Sequence, residues 1–124
     1  VDYMQLMTSG KKVESRQLEV SEFSRQMKLL AKELSVPVVA LSQLNRGPEQ
    51  RTDKKPMLSD LRESGSLEQD ADMVILLHRA DAYDKDSDRV GEADFIIAKH
   101  RNGPTATIPT VFQGHYSRFV DMQR

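Results

Sequence analysis

The apolar residues of one long segment near the start of the chain follow a helical period. Between Arg16 and Leu34 they recur at spacings of four, three, one and three, which places them on one face of a helix. The charged residues lie mainly on the opposite face. The pattern therefore predicts an amphipathic helix over 16–34 with an apolar stripe of Phe23, Met27, Leu30, Ala31 and Leu34.

Continuous apolar runs predict buried strands elsewhere in the chain. Val36–Leu41 is rich in β-branched residues, and Pro37 is tolerable near the beginning of a strand. Met73–Leu77 is a second uninterrupted run, typical of a strand that is covered on both faces. Val1–Met7 is typical of the end of a strand, with Asp2 at its exit.

The last third of the chain predicts antiparallel pairing. Asp94–Lys99 is a third strand, and Asn102-Gly103 favours a hairpin that returns as Thr105–Phe112. A last short strand is expected at about Ser117–Val120. The order of the elements implies an α/β fold, with parallel strands first and an antiparallel C-terminal hairpin at one edge of the sheet.

Two polar stretches separate these elements. Ser42–Asp60 is long, and loops of this length are usually functional or disordered. Short helical turns are expected at Leu58–Arg62 and Ser66–Gln69. Ala80–Glu92 is acidic, and we expect it to form a solvated excursion.

Composition limits the chemistry that the chain can perform. The 124 residues are 38% apolar with a net charge of −1, so any nucleic-acid binding must rest on local clusters. The low apolar fraction indicates polar loops, or a piece whose remaining core partner lies elsewhere. The lack of cysteine excludes disulfides and thiolate catalysis, and no apolar run approaches the roughly 20 residues of a membrane span. Because the chain starts at Val1 without methionine, we expect an engineered or processed boundary there.

Polar side chains follow two predicted strands at their carboxyl ends, where α/β folds bind ligands. Asp2 stands where nucleotide-binding folds place a carboxylate that directs Mg²⁺ through the waters of the ion. Gln43 follows Val36–Leu41, and a neutral amide there can sense a γ-phosphate without acting as a base. A turn-capping aspartate and a solvated loop glutamine are the simpler interpretations of each residue alone.

Two cations end the third strand. Because side chains alternate along a strand, Lys99 and Arg101 are expected to point one way and His100 the other. Cations on a rigid hairpin suit a polyphosphate, and an arginine supplied to another subunit's nucleotide raises phosphoryl-transfer rates by about 10³–10⁵. The alternative is an ordinary basic edge strand that resists aggregation. His100 is expected to be structural.

Arg62, Glu63 and Gly65 lie in the middle of the long polar region. Gly65 lets the backbone approach a ligand closely, and Arg62 can pair with phosphate. No aromatic residue accompanies them, so base stacking is missing and any DNA would be held by its backbone. The alternative is a capped turn with a salt bridge.

Taken together, these segments resemble one family in the right order over nearly the whole chain. Residues 1–7 and 16–34 resemble the Walker B strand and the following helix of the DnaB family of bacterial hexameric replicative helicases. Residues 37–46 are similar to the family's next strand and sensor motif. The most specific match is Leu58–Asp72, and Ile97–Pro104 matches the arginine-finger hairpin.

The resemblance implies a truncated RecA-like, P-loop NTPase sheet, with residues 1–124 forming the C-terminal part of a single helicase ATPase domain that lacks its Walker A region. It implies that Asp2 acts on Mg²⁺ through water and that Gln43 senses the γ-phosphate of ATP. It also implies that Arg101, with Lys99 beside it, reaches the nucleotide of the neighbouring subunit.

The resemblance further implies the partners. Arg62, Glu63 and Gly65 would lie on a loop facing single-stranded DNA, where the backbone N–H of Glu63 or an arginine partner matters because its carboxylate repels DNA. ATP and Mg²⁺ would be the cofactors. The partners would be homo-hexamer subunits, primase and a helicase loader at the replication fork, in the cytoplasm and with no membrane.

Three other interpretations stay open. A RecA-like recombination or repair ATPase shares the core fold, although residues 62–72 and 99–104 argue against it. A non-catalytic assembly fragment is supported by the absence of a phosphate loop from the chain. A free-standing nucleic-acid-binding domain is disfavoured by the net charge of −1 and the lack of stacking aromatics.

The 124 residues contain no Gly-x-x-x-x-Gly-Lys-Ser/Thr stretch, so nothing among them cradles the β- and γ-phosphates of a nucleotide. We predict that the purified chain alone neither hydrolyses ATP nor unwinds DNA. Phosphate release and strand separation are the measurements, and turnover by the pure chain would contradict the prediction.

Overall fold

The computed structural model describes the backbone of residues 16–44 and 54–122 and the side chains of residues 20–44, 54–61 and 67–122. Its main elements are helices α1 (Arg16–Leu34) and α2 (Gly65–Asp70), a 3-10 helix (Leu58–Ser64), and strands β1 (Met73–His78), β2 (Glu92–His100), β3 (Ala106–Gln113) and β4 (Arg118–Asp121). The chain divides into a helical unit that contains α1 and α2 and a sheet unit that contains the four strands. The 3-10 helix and α2 confirm the two short helical turns predicted near residues 58–69.

The predicted amphipathic helix is confirmed, because α1 covers Arg16–Leu34. Val20 and Phe23 are buried in its unit, and the partly buried Met27 and Leu67 pack against them. Leu30 and Leu34 of the apolar stripe are 46% and 58% exposed, so only part of the stripe is buried. The apolar contact lies nearer the beginning of α1 because Leu67 of α2 packs there. None of the described helices is long and apolar enough to cross a membrane.

Polar contacts fix α2 against α1. The Ser24 hydroxyl donates a hydrogen bond of 2.7 Å to the Asp70 carboxylate. The Lys28 ammonium donates one of 2.9 Å to the Asp70 carbonyl. A cation at the C-terminal carbonyls of a helix complements their partial negative charge, so α2, although only six residues long, is held at its last residue.

The predicted buried strand at Val36–Leu41 is wrong. Residues 36–44 have no regular secondary structure. Val39 is 72% exposed and Leu41 54%. An apolar run becomes a strand only when a neighbouring strand accepts and donates its backbone hydrogen bonds. No described strand pairs with this run, and the other predicted early strand, Val1–Met7, lies outside the described residues.

The four strands form one sheet in the order β1-β2-β3-β4. Every pairing in it is antiparallel, so the predicted C-terminal hairpin and last strand are confirmed. The predicted parallel strands are not part of this sheet. Antiparallel pairing instead begins at β1, because the excursion that follows β1 returns the chain alongside it as β2.

The two faces of β1 differ in burial. In β1, Leu76 and His78 are 4% and 8% exposed, whereas Ile75 and Leu77 are 50% and 58% exposed. The prediction that β1 is covered on both faces is therefore wrong. The strand register places Phe95, Ile97, Ile108, Phe112 and Phe119 on the same face as Ile75 and Leu77. Ala93 and Thr110 lie on this face too and are only 2% and 7% exposed, so the face is exposed in part.

The excursion between β1 and β2 is held by charged groups rather than simply solvated. The Asp81 carboxylate accepts a hydrogen bond of 3.0 Å from the N–H of Gly91, which lowers the pKa of Asp81. Gly91 has φ +81°, a conformation that favours glycine. Arg89 donates two hydrogen bonds of 2.8 Å to the carboxylate of Asp94, which is 3% exposed.

The Arg89–Asp94 pair predicts a stability that falls in acid. The hydrogen bonds from Arg89 hold the pKa of Asp94 below its usual 3.8, against the desolvation that raises it. The ionised pair therefore stabilises the fold above about pH 4, and this contribution is lost as the pH falls towards the folded pKa. We expect Asp94→Asn to lower the free energy of unfolding at pH 7 by about 2 kcal/mol. This is less than the 3–5 kcal/mol of a fully buried pair because Arg89 is 38% exposed.

Denaturant unfolding at several pH values measures both effects. Asp94→Asn should also flatten the acid limb of the stability profile, whereas Asp121→Asn, at an exposed carboxylate of β4, should leave both features near wild type. An unchanged acid limb in Asp94→Asn would show that another group governs it.

Candidate functional site

The hairpin between β2 and β3 is built around a close contact between His100 and Gly103. A Cβ added at Gly103 would lie 2.5 Å from Cε1 of the His100 ring. Nδ1 of the His100 ring lies 3.3 Å from the carbonyl oxygen of Pro104. Any side chain at position 103 would therefore have to displace the His100 ring. Among the described glycines only Gly91 has a positive φ. The structural role expected for His100 fits this contact.

Arg101 lies one residue beyond the end of β2, where it is fixed at two points. Its backbone N–H donates a hydrogen bond of 2.9 Å to the Asp72 carbonyl. One terminal nitrogen of its guanidinium, NH1, lies 2.7 Å from Oδ1 of Asp72. The side chains of Arg101 and Asp72 are 47% and 65% exposed. The arginine is thus held by the strand end and open to solvent.

The strand around Lys99 is irregular. Lys99 pairs with Val74, but the next residue of β1, Ile75, pairs with Ile97, so Ala98 is an extra residue that forms a bulge. A bulge changes the twist of a strand and redirects its side chains. Because the bulge precedes Lys99 and the strand ends before Arg101, simple alternation does not determine their directions. Their common orientation stays a prediction.

The other proposed nucleotide residues belong elsewhere in the chain. Gln43 is an exposed residue of the irregular segment 36–44, where its carbonyl accepts a hydrogen bond of 3.3 Å from the Ser42 hydroxyl. Asp2 lies outside the described residues. Gln43 belongs to the helical unit and Arg101 to the sheet unit, so the gathering of these groups along one rim stays a prediction.

The described residues do not test the Mg²⁺ site. No three histidine, aspartate or glutamate side chains among them are grouped so that they could hold a metal ion. Asp2, the residue expected to direct Mg²⁺, is not among them.

The predicted DNA loop is described in its backbone alone. Arg62 and Glu63 belong to the 3-10 helix Leu58–Ser64, and Gly65 is the first residue of α2. Their side chains lie outside the described residues. Their role as DNA ligands therefore stays a prediction.

Asp72 is the site residue that the sequence did not single out. It stands one position before β1, and Arg101 stands one position after β2, so the antiparallel pairing of Met73 with His100 brings the two together. Asp72 is the last residue of the most specific stretch, Leu58–Asp72. In the sequence, Asp72 is an acidic residue next to the beginning of a predicted strand. Its contact with Arg101 can be inferred only when the pairing of β1 with β2 is known.

The comparisons with known proteins identify the family of this chain. The model of the DnaB-like helicase C-terminal domain matches residues 1–121. The chain belongs to this family. It is 80% identical over its whole length to the replicative DNA helicase DnaB of Mycobacterium intracellulare, and 56% identical to that of Geobacillus stearothermophilus. It spans only 22% and 28% of the length of these two relatives.

Two solved structures share the fold of this family member. One is described as an ATPase domain, and the other is a DnaB-like replicative helicase described with its interactions with primase. Each is 52% identical to the chain, with a TM-score of 0.93 over 98% of its residues. The chain covers 43% and 30% of those structures. The family that the motifs indicated is therefore confirmed.

The hairpin contact gives a test of its own. We expect Gly103→Ala to lower the free energy of unfolding by about 1 kcal/mol, because the His100 ring must move to admit the methyl group. Denaturant unfolding measures the loss, which should shrink in a His100→Ala background. Gly114→Ala is the matched control, because a Cβ at Gly114 would meet its nearest atom at an ordinary 3.7 Å. Equal losses at the two glycines would rule out the proposed clash.

Proposed function

We propose that this chain forms the C-terminal part of the ATPase domain of a replicative DNA helicase, which couples ATP hydrolysis to movement along single-stranded DNA and unwinds duplex at the fork. The family match over residues 1–121 supports this function, as do relatives that are named replicative DNA helicases. Because the chain spans 22% of the Mycobacterium intracellulare relative, this activity belongs to the longer protein.

The placement of Arg101 carries the proposal at the level of residues. Its backbone is anchored at the end of β2, and its side chain is 47% exposed. A planar guanidinium can bind phosphate oxygens in a bidentate manner. An anchored, accessible arginine is thus suited to stabilise negative charge on a nucleotide bound by an adjacent subunit, with Lys99 close to it in sequence.

The remaining groups of the ATP site come from other segments. Asp2 would hold Mg²⁺ through water, and Mg²⁺ would neutralise charge on the phosphates when bound. Gln43 would sense the γ-phosphate. The phosphate-binding loop, which these 124 residues lack, would come from another part of the longer protein. This division explains the expected inactivity of the isolated chain.

The proposed fold of the longer domain is RecA-like, with parallel strands joined to the antiparallel sheet. The exposed apolar residues on one face of the sheet support a larger domain, because exposed apolar surface of this kind generally marks a contact. On this face Ile75 is 50% exposed, Leu77 58% and Ile108 44%. We propose that other parts of the domain cover it.

The proposed partners follow from the same function. Identical subunits would form a hexamer, and single-stranded DNA would pass the loop that contains Arg62, Glu63 and Gly65. Primase and a helicase loader would act with it in the cytoplasm at the replication fork. One solved relative is a DnaB-like helicase described with its interactions with primase, which supports the primase assignment.

Replacing Arg101 tests the proposal directly. In the full-length protein we expect Arg101→Ala to lower the rate of ATP hydrolysis by about 10³-fold or more, because charge on the transferred phosphoryl group loses its stabilising cation. Monomer folding and hexamer assembly should persist, because the substitution leaves the backbone bond to Asp72 in place. Steady-state phosphate release and size-exclusion chromatography are the measurements.

Controls separate a role across subunits from a general loss of charge. Arg118→Ala, at an exposed arginine of β4, should leave turnover near wild type. Mixing Arg101→Ala subunits with subunits disabled in the phosphate-binding loop should restore some hydrolysis. An intact site forms wherever an Arg101→Ala subunit supplies the phosphate-binding loop and the neighbouring subunit supplies Arg101. Unchanged turnover in the Arg101→Ala hexamer would remove Arg101 from this role.

A further inference from the structure

The contact between Arg101 and Asp72 lies at the end of the β1–β2 pairing, one residue beyond the last strand pair. Met73 pairs with His100, so the next residues outward are Asp72 and Arg101. Backbone and side chain both take part. The Arg101 N–H donates to the Asp72 carbonyl at 2.9 Å, and NH1 donates to the Asp72 carboxylate at 2.7 Å. The guanidinium is therefore directed by a residue that is itself tied to the sheet.

We propose that Asp72 is a positioning residue for Arg101. Its carboxylate holds the Arg101 guanidinium in one orientation at the end of β2, so that the guanidinium can bind a phosphate without first sampling other rotamers. The proposal rests on the function proposed above. An arginine side chain loses much rotational freedom when it is fixed. A carboxylate that fixes it beforehand removes that loss from the reaction step, as other pre-organised sites do.

The hydrogen-bond inventory of Arg101 is compatible with this role. A guanidinium has five N–H donors on three nitrogens. Within the described part of the chain, NH1 is the one side-chain nitrogen of Arg101 with a hydrogen bond. Nε and NH2 remain for phosphate oxygens while NH1 stays on Asp72. The contact can thus persist when the arginine acts.

The exposure of the pair argues against a mainly structural role. The side chains of Arg101 and Asp72 are 47% and 65% exposed, and ion pairs this accessible contribute little to stability. The backbone hydrogen bond to the Asp72 carbonyl does not depend on the side chain at position 72. Removing the carboxylate should therefore release the guanidinium and leave the strand pairing intact.

The test measures ATP hydrolysis by the full-length protein at saturating DNA. We expect Asp72→Ala to lower kcat about tenfold, within the range that misplacement of a reacting group produces. KM for ATP and the melting temperature should stay near wild type, because transition-state stabilisation is what is lost. Asp72→Asn should recover most of the rate, since the amide oxygen still accepts from NH1. Asp121→Ala, at an exposed carboxylate of β4, is the control.

A double substitution decides whether Asp72 acts through Arg101. In an Arg101→Ala background, Asp72→Ala should cause no further loss of the residual single-turnover rate. A further tenfold loss there, or a lowered melting temperature in Asp72→Ala alone, would overturn the positioning role. A rate increase in Asp72→Ala would also overturn it, because the carboxylate would then be a competitor of phosphate.

The outcomes also separate this inference from the proposed function. If Arg101→Ala removes hydrolysis but Asp72→Ala keeps the wild-type kcat, the positioning role is wrong and the helicase role of Arg101 stands. If Arg101→Ala itself keeps the wild-type kcat, the finger role fails, and the positioning role that depends on it fails as well.

Discussion

The antiparallel pairing of β1 with β2 is the constraint on which the site depends. It brings together Asp72 and Arg101, which are 29 positions apart in the sequence, and it places the hairpin directly beyond their contact. The hydrogen bond from the Arg101 N–H to the Asp72 carbonyl extends this pairing by one residue beyond Met73 and His100. The backbone of Arg101 is therefore fixed by the sheet, as its proposed role at a neighbouring nucleotide requires.

Two ion pairs of the sheet unit illustrate how burial decides the role of a charge. Asp94 is 3% exposed and binds Arg89 through two hydrogen bonds of 2.8 Å, so separating this pair would leave a buried charge. The pair between Arg101 and Asp72 is largely exposed to solvent, where an ion pair contributes little to the free energy of unfolding. The first pair fixes the excursion to the sheet, whereas the second leaves its arginine available to a ligand.

Much of the fold follows from local pattern. Helix α1, the C-terminal hairpin and the last strand were predictable because spacing and turn residues act over a few positions. Predictions failed where neighbours decide the outcome. Val36–Leu41 has the composition of a strand but no described strand beside it, and Ile75 and Leu77 are exposed although their run indicated burial on both faces. Periodicity shows which residues could be buried, and only packing shows which are.

The sequence by itself determined the family, the secondary structure around the hairpin and the candidacy of Arg101, because motif identity and residue chemistry are local properties. The tertiary structure decided that Asp72 is the partner of Arg101, that a bulge at Ala98 interrupts the strand before Lys99, and that Gly103 makes room for the His100 ring. These facts depend on strand register and on distances between residues remote in sequence. No pattern within a single segment encodes them.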